Sequence, residues 1–348
     1  PLEGKKVEIY ADKESFEIFC YAHIVTRDQF THQFTQQADH WYEITDLKDS
    51  QIAKRIWEDQ IDILMDPGSG HTAFNRLLVF AYHPAPIQIT LYPTSTGLQA
   101  MDYRMTDPYL DPPSIRGEEL NTEKLLRCTH SVFYFPPSNL PPINVLPSDQ
   151  TGVITFGSFN NLAKLNEEVI AVWAEILHQC PGSQLILKSG ALECLQTAQK
   201  FKQKFEQKGI YAEQLQFLAK TTFKYDHLST YHSIDIALDP FPYNGHMTTA
   251  EALWMGVPVI TLAGDRHFGR VSLSFLSLLN LPELIAYSLE EYVQIAKKLS
   301  QQTAFLRELR QTMRERIKNS PLGDRKACMQ QIEGFYRHVW QEWCNVEA

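Results

Sequence analysis

Two stretches of this chain combine turn residues, hydroxyls and a nearby charge in an order that suits the binding of an anion. Asp239-Pro-Phe-Pro-Tyr-Asn-Gly-His-Met-Thr-Thr-Ala-Glu-Ala-Leu-Trp254 follows an apolar run, turns through proline, asparagine and glycine, and enters a helical pattern at two threonines. The free N–H groups and the positive end of such a helix would face the turn, and Gly245 would let a phosphate come close. Thr248 or Thr249 can cap the helix and donate a hydroxyl, and Glu251, one turn further in, could accept hydrogen bonds from a ribose. A well-capped helix after a tight turn accounts for the same residues without any ligand. Phe156-Gly-Ser-Phe-Asn-Asn-Leu-Ala-Lys164 has the same strand–turn–helix outline. There Lys164 could reach a pyrophosphate, and Asn160 and Asn161 offer amides to a sugar or a base. In Lys224-Tyr-Asp-His227 the cation and the imidazole are spaced i, i+3 and share a helix face. Each element alone also reads as ordinary surface. Three of them at consecutive strand ends of one domain point together to a nucleoside diphosphate.

The elements that must position these residues follow a βαβ rhythm. In the first half, apolar runs at Phe16–Tyr21, Ile61–Met65, Ile87–Thr90 and Tyr103–Thr106 alternate with helical patterns at Asp28–Gln37 and Gln51–Trp57. A proline-rich stretch holding Pro136, Pro137, Pro141, Pro142 and Pro147 reads as an extended linker. The rhythm then restarts. Strands are predicted at Val153–Phe156, Gln184–Lys188, Leu215–Leu218, Ile234–Leu238 and Pro258–Leu262, and helices at Glu167–His178, Ala191–Lys208, Tyr225–His232 and Thr248–Met255. From Val271 onward helices dominate, ending in an aromatic-rich one around Phe335, Tyr336, Trp340 and Trp343 that should fold back toward the first domain. The expected architecture is α/β, of GT-B type: two Rossmann-like domains across a cleft, residues 1–149 and 150–348, the latter carrying the C-terminal helices.

Composition bounds the alternatives. The 348 residues suffice for two domains, and the 44% hydrophobic and 21% charged fractions are those of an ordinary globular protein. A formal charge of −9 argues against a general nucleic-acid binder. No apolar run is long enough to span a bilayer, and the first residues lack the core of a signal peptide, so a cytoplasmic protein is expected. Cys20, Cys128, Cys180, Cys194, Cys328 and Cys344 form no C-x-x-C pair, which predicts reduced thiols and no structural metal.

The motifs resemble a known family. Phe156 to Lys164, Asp235-Ile-Ala-Leu-Asp-Pro-Phe-Pro-Tyr-Asn-Gly245 and Glu251-Ala-Leu-Trp-Met-Gly-Val-Pro-Val-Ile-Thr-Leu-Ala-Gly-Asp-Arg266 look like the catalytic half of the O-linked N-acetylglucosamine transferase and SPINDLY family. Upstream, Gly70-His-Thr-Ala-Phe-Asn-Arg76, Pro84-Ala-Pro-Ile-Gln88 and Ala100-Met-Asp-Tyr-Arg-Met-Thr-Asp107 extend the resemblance over nearly the whole chain. It implies an inverting, metal-independent enzyme without a cofactor, moving a sugar from a nucleotide diphosphate to Ser or Thr hydroxyls of proteins. Lys164 would stabilise the leaving diphosphate, with Asn161 near the nucleotide. Lys224 and His227 would flank base and ribose, His246 and Thr248 would hold the diphosphate, and Glu251 the ribose. Asp59 and His71 are the candidates for assisting deprotonation of the acceptor, and both are equally readable as structural.

At His246 the turn resembles the Gly-His-Thr type of the O-GlcNAc branch more than the threonine-rich turn of the fucosyl branch, and this resemblance implies UDP-GlcNAc as donor. GDP-fucose in the manner of the SPINDLY branch, or a non-catalytic nucleotide- or partner-binding homologue, are the alternatives. The loop Thr90-Leu-Tyr-Pro-Thr-Ser-Thr-Gly97 departs from the family's glycine-rich pattern near the sugar. The chain also reads as an incomplete first half, with a histidine-containing loop and acceptor-recruiting repeats expected upstream.

Overall fold

The computed structural model describes residues 12–68, 75–91, 94–114, 118–130 and 140–347. They fall into two compact units, Pro1–Phe133 with Asp324–Ala348, and Tyr134–Gly323. The first contains β1 (Phe19–Ala22), α1 (Gln29–Gln37), β2 (His40–Glu43), α2 (Asp49–Glu58), β3 (Ile63–Asp66), α3 (Leu77–Ala81), β4 (Ile87–Thr90), β5 (Tyr103–Thr106) and β6 (Lys124–Arg127). The second contains α4 (Pro147–Thr151), β7 (Thr155–Ser158), α5 (Glu167–Gln179), β8 (Gln184–Lys188), α6 (Leu195–Glu206), β9 (Leu215–Leu218), α7 (Lys224–Ser229), β10 (Ile236–Leu238), α8 (Met247–Trp254), β11 (Val259–Leu262), α9 (Val271–Leu278), β12 (Ile285–Ala286), α10 (Leu289–Gln301) and α11 (Thr303–Lys318). The last helix, α12 (Arg325–Glu347), returns to the first unit.

In the first unit β1 and β2 pair in parallel, and β3-β4-β5-β6 form a parallel sheet in chain order. Ile87, Ile89, Met105 and Leu126 pack against Val339 of α12, with Phe335, Tyr336 and Trp340 alongside. Ile52 and Ile56 of α2 build a second cluster with Leu64, Val79 and Phe80. A parallel sheet has to be covered on both faces, and α12 supplies one of the covers. For that reason the division after Phe133, with α12 in the first unit, differs from the expected one at 149/150 with all C-terminal helices in the second domain. The Pro136–Pro137 stretch lies outside the described residues. Pro147 occupies the first turn of α4, where its missing N–H is not needed.

The second unit is built on a six-stranded parallel sheet of order β12-β11-β10-β7-β8-β9. The order reverses between β7 and β10, and in an open α/β sheet ligands bind beyond the carboxyl ends of the strands at such a reversal. Trp173 of α5 and Leu253 of α8 are fully buried around this sheet. Among the described residues, no helix is long and apolar enough to cross a membrane.

Candidate active site

Both anion-site motifs leave the sheet at the reversal, one after β7 and the other after β10. Asn160, 7% exposed, joins them: its Oδ1 accepts from Thr248 Oγ1 at 3.0 Å and from Lys164 Nζ at 3.3 Å. The Lys164 ammonium also donates to the Asn244 carbonyl at 2.7 Å and lies 4.5 Å from the centre of the Tyr243 ring. Burial draws the Lys164 ammonium below its ordinary range, and the negative field of Asp239 opposes that shift. A cation and the start of α8 therefore meet at one amide.

Asp239 is the buried hub of the turn. Its carboxylate accepts from Gly245 N–H at 2.6 Å and from Thr261 Oγ1 at 2.7 Å, and Tyr292 donates to its carbonyl at 2.9 Å. Burial pushes the carboxyl up to about 6, against the hydrogen bonds from Ser272, Gly245 and Thr261 and the charge of Lys164. A Cβ on Gly245 would sit 2.7 Å from Thr248 Oγ1 and 3.0 Å from Asp239 Oδ1, so the turn admits only glycine. Helix α8 begins at N-cap His246, with no hydrogen bond from that side chain to the helix. The first N–H groups of an α-helix have no intrahelical acceptor, so this end is suited to an anion.

A second cluster closes the site on the β8 and β9 side. Glu251, 3% exposed, accepts from the Lys224 ammonium through Oε1 and meets His227 Nε2 at 2.8 Å through Oε2. Burial raises the Glu251 carboxyl, but the bonds from His227 and Lys224 outweigh it and hold the group below its ordinary value. His227 stands 6.3 Å from the Phe159 ring and edge-on to Tyr231 at 5.8 Å, and Tyr231 OH donates to the Thr248 carbonyl at 3.1 Å.

Thus the structure gathers Asn160, Lys164, Lys224, His227, Thr248 and Glu251 on neighbouring strand ends, with His246 at the mouth of α8. Two expectations change. Neither threonine caps α8, whose N-cap is His246, and Thr249, 2% exposed, turns inward to Ser272 Oγ at 2.9 Å instead of offering its hydroxyl to a ligand, because its helical position faces α9. Asn161 commits its Oδ1 locally, accepting from Ala163 N–H at 3.0 Å and so capping the turn that carries Lys164, which leaves only its Nδ2 group to meet a nucleotide.

Of the two proposed acceptor-side groups, His71 lies outside the described residues. Asp59 ends α2 in the first unit and accepts from Tyr21 OH at 2.8 Å and from Arg55 Nε at 2.9 Å. Burial raises the Asp59 carboxyl, while Arg55 and Tyr21 outweigh that and hold it below its ordinary value, which weakens it as a base. In the Ala100–Asp107 motif Arg104 makes a buried ion pair with Asp111 at 2.9 Å, a packing role. The departing loop is tied down by Glu123, which accepts from Thr96 N–H at 2.7 Å.

Sequence reasoning missed Asp239 and Lys188. Both are ionisable residues closing an apolar strand on its carboxyl side, and that placement was the available signal. Among the described residues, no three His, Cys, Asp or Glu side chains converge as a metal site would require.

Two units built on parallel sheets, the second with a lysine and a helix start at its reversal, have the α/β architecture of GT-B glycosyltransferases. The profile of glycosyl transferase family 41 matches residues 5–135 and 144–332. The chain belongs to this family. It is 36% identical over 346 residues to the probable UDP-N-acetylglucosamine–peptide N-acetylglucosaminyltransferase SPINDLY of Petunia hybrida, covering 97% of this chain and 37% of that protein. It is 29% identical over 351 residues to the corresponding SEC protein of Arabidopsis thaliana, covering 96% of this chain and 35% of that protein. The chain thus spans little more than a third of the length of these relatives. Among solved structures, a variant of the Thermobaculum terrenum O-GlcNAc transferase superposes with a TM-score of 0.90 at 35% identity, covering 97% of this chain and 64% of that one. A glycosyltransferase from Rickettsia africae, at 11% identity and a TM-score of 0.55 over 90% of this chain and 88% of that one, shares the fold.

Proposed function

We propose that the chain is the catalytic region of an inverting glycosyltransferase that moves GlcNAc from UDP-GlcNAc to Ser or Thr hydroxyls of proteins, without a metal. The observation that carries this reading is the convergence of the Lys164 ammonium and the start of α8 on Asn160. A fixed ammonium and helix N–H groups aimed at a departing diphosphate supply the charge stabilisation that a divalent ion gives elsewhere. In this reading Lys164 meets the negative charge that grows as the sugar–phosphate bond breaks. His246 and Thr248 hold the diphosphate. Lys224, His227 and Glu251 receive the nucleoside, the Glu251 carboxylate accepting from the ribose hydroxyls.

The relatives from Petunia hybrida and Arabidopsis thaliana, named as probable UDP-N-acetylglucosamine–peptide N-acetylglucosaminyltransferases, support UDP-GlcNAc as the donor and a peptide as the acceptor. Protein acceptors would be recruited by repeats outside this sequence. Deprotonation of the acceptor falls to His71, to a diphosphate oxygen or to water, since the bonds to Asp59 make it a weak base. The test is a panel of UDP- and GDP-sugars, screened for thermal stabilisation and then for transfer to a serine-containing peptide. UDP and UDP-GlcNAc should stabilise the protein and GDP-fucose should not. Stabilisation by GDP-sugars alone would overturn the donor assignment.

A further inference from the structure

One buried charge in the second unit has no part in the transfer chemistry proposed above. Lys188 closes β8 and is 3% exposed. Its ammonium donates to Thr230 Oγ1 at 2.8 Å and to Thr221 Oγ1 at 3.2 Å, and its third partner is His227 Nδ1 at 3.1 Å. Three donors meet three acceptors, so none is left for a ligand. Burial draws the Lys188 ammonium below its ordinary range, the charges of Glu251 and Asp226 oppose that, and Lys224 adds to it.

The direction of the contact with His227 follows from chemistry. An ammonium has no lone pair, so it can only donate, and Nδ1 must then be unprotonated. The ring proton sits on Nε2 and is donated to Glu251 Oε2, 2.8 Å away. The opposite tautomer would point an N–H at the ammonium and a lone pair at the carboxylate. The remaining faces of the ring see the aromatic groups of Phe159 and Tyr231, which cannot reverse that preference.

We infer that Lys188 is a positioning residue: it fixes His227 as the neutral Nε2–H tautomer and, through it, holds the Glu251 carboxylate ready for the donor nucleoside. The inference rests on the donor-site reading above. A preset tautomer spares the site a proton rearrangement when nucleoside binds, so removing Lys188 weakens donor affinity without removing any direct contact to the donor.

The tautomer is read in the ligand-free protein by nitrogen NMR of labelled histidine, with the His227 signals identified by their loss in His227→Gln. The expected spectrum has an unprotonated Nδ1 and a protonated Nε2. UDP affinity is then measured by calorimetry for Lys188→Met in two backgrounds. In the wild-type background the loss should be about tenfold, as for an interaction with one charged hydrogen-bond partner. In the His227→Gln background Lys188→Met should add less than about twofold, because a residue acting through His227 has nothing left to act on.

Equal losses in both backgrounds, or a wild-type His227 protonated at Nδ1, overturn the inference. The second result needs no Lys188 variant, only His227→Gln to identify the signals, and it holds even if Lys188→Met fails to fold. Wild-type protein that binds no UDP overturns the donor-site reading instead, and the nitrogen spectrum then decides the positioning role by itself.

Discussion

Replacing Lys164 with alanine separates two jobs that one ammonium can do, clamping the donor and stabilising the leaving group. In the ligand-free protein the ammonium bonds the Asn244 carbonyl and Asn160 Oδ1, and the latter keeps its bond from Thr248. Of the two acceptors only the Asn244 carbonyl is left without a side-chain donor, and the Tyr243 ring loses its cation, so the structural loss should be about 1 to 2 kcal/mol, a fall of a few degrees in Tm. The catalytic loss should be larger. One preorganised contact to charge that develops in the transition state is worth about 10² to 10³ in rate, or ~3 to 4 kcal/mol. Turnover of UDP-GlcNAc with a peptide acceptor, at saturating and limiting donor, gives kcat and donor KM separately. Lys164→Ala should lower kcat far more than it raises donor KM, and Lys164→Arg should rescue only in part, because the planar guanidinium cannot reproduce the compact ammonium between Asn160 and Asn244. A variant with unchanged kcat and an altered donor KM would refute the leaving-group role.

Binding of UDP in the presence of EDTA should match binding without it, and at 100 times its dissociation constant UDP should add roughly 2.7 kcal/mol of stability. Affinity that vanishes on chelation would remove the metal-free reading. Thr248→Val should weaken UDP binding about tenfold by freeing Asn160, whereas Thr249→Val, which loses only the bond to Ser272, should lower Tm and leave UDP affinity unchanged. Asp239 gives a pH signature. With its carboxyl raised from 3.8 to about 6 in the fold, the stability it contributes is fully present below 3.8 and is lost as pH rises through 6, by about 3 kcal/mol in all. Urea midpoints of wild type and Asp239→Asn at pH 4, 5 and 6 should differ by an amount that shifts steadily against the wild type as pH rises, and a difference independent of pH would show that the group does not titrate there.

Much of the second unit was legible because its strands are short apolar runs bounded by Gly, Pro or polar residues. Gln184–Lys188 and Leu215–Leu218 fall where periodicity puts them, and so does Tyr103–Thr106 in the first unit. The strands that escaped notice have mixed character: His40–Glu43 and Lys124–Arg127 carry charges at their ends, and Ile285–Ala286 is too short to signal itself. The helix expected over 191–208 is broken by an extended Cys194, which separates a tight turn at Gly190–Glu193 from α6. The two anion-site motifs could be read because each is local in sequence. The Lys188–His227–Glu251 relay joins residues 39 and 24 apart and exists only once α7 and α8 meet over the end of β8. The inward turn of Thr249 was equally hidden, since two adjacent threonines at a helix start differ only in which way the helix faces them.

The return of α12 to the first unit has a consequence for biosynthesis. A ribosome releases β3 to β6 early, yet the face formed by Ile87, Ile89, Met105 and Leu126 obtains its cover from Val339 and its neighbours only after the whole second unit has been made. The nascent first unit must therefore wait with an apolar sheet face open while some two hundred residues follow, at about 5 to 20 residues per second. The unit that is synthesised first is completed last, and a chain cut anywhere between Phe133 and Asp324 leaves it with a sticky, unfinished sheet in place of an independent domain.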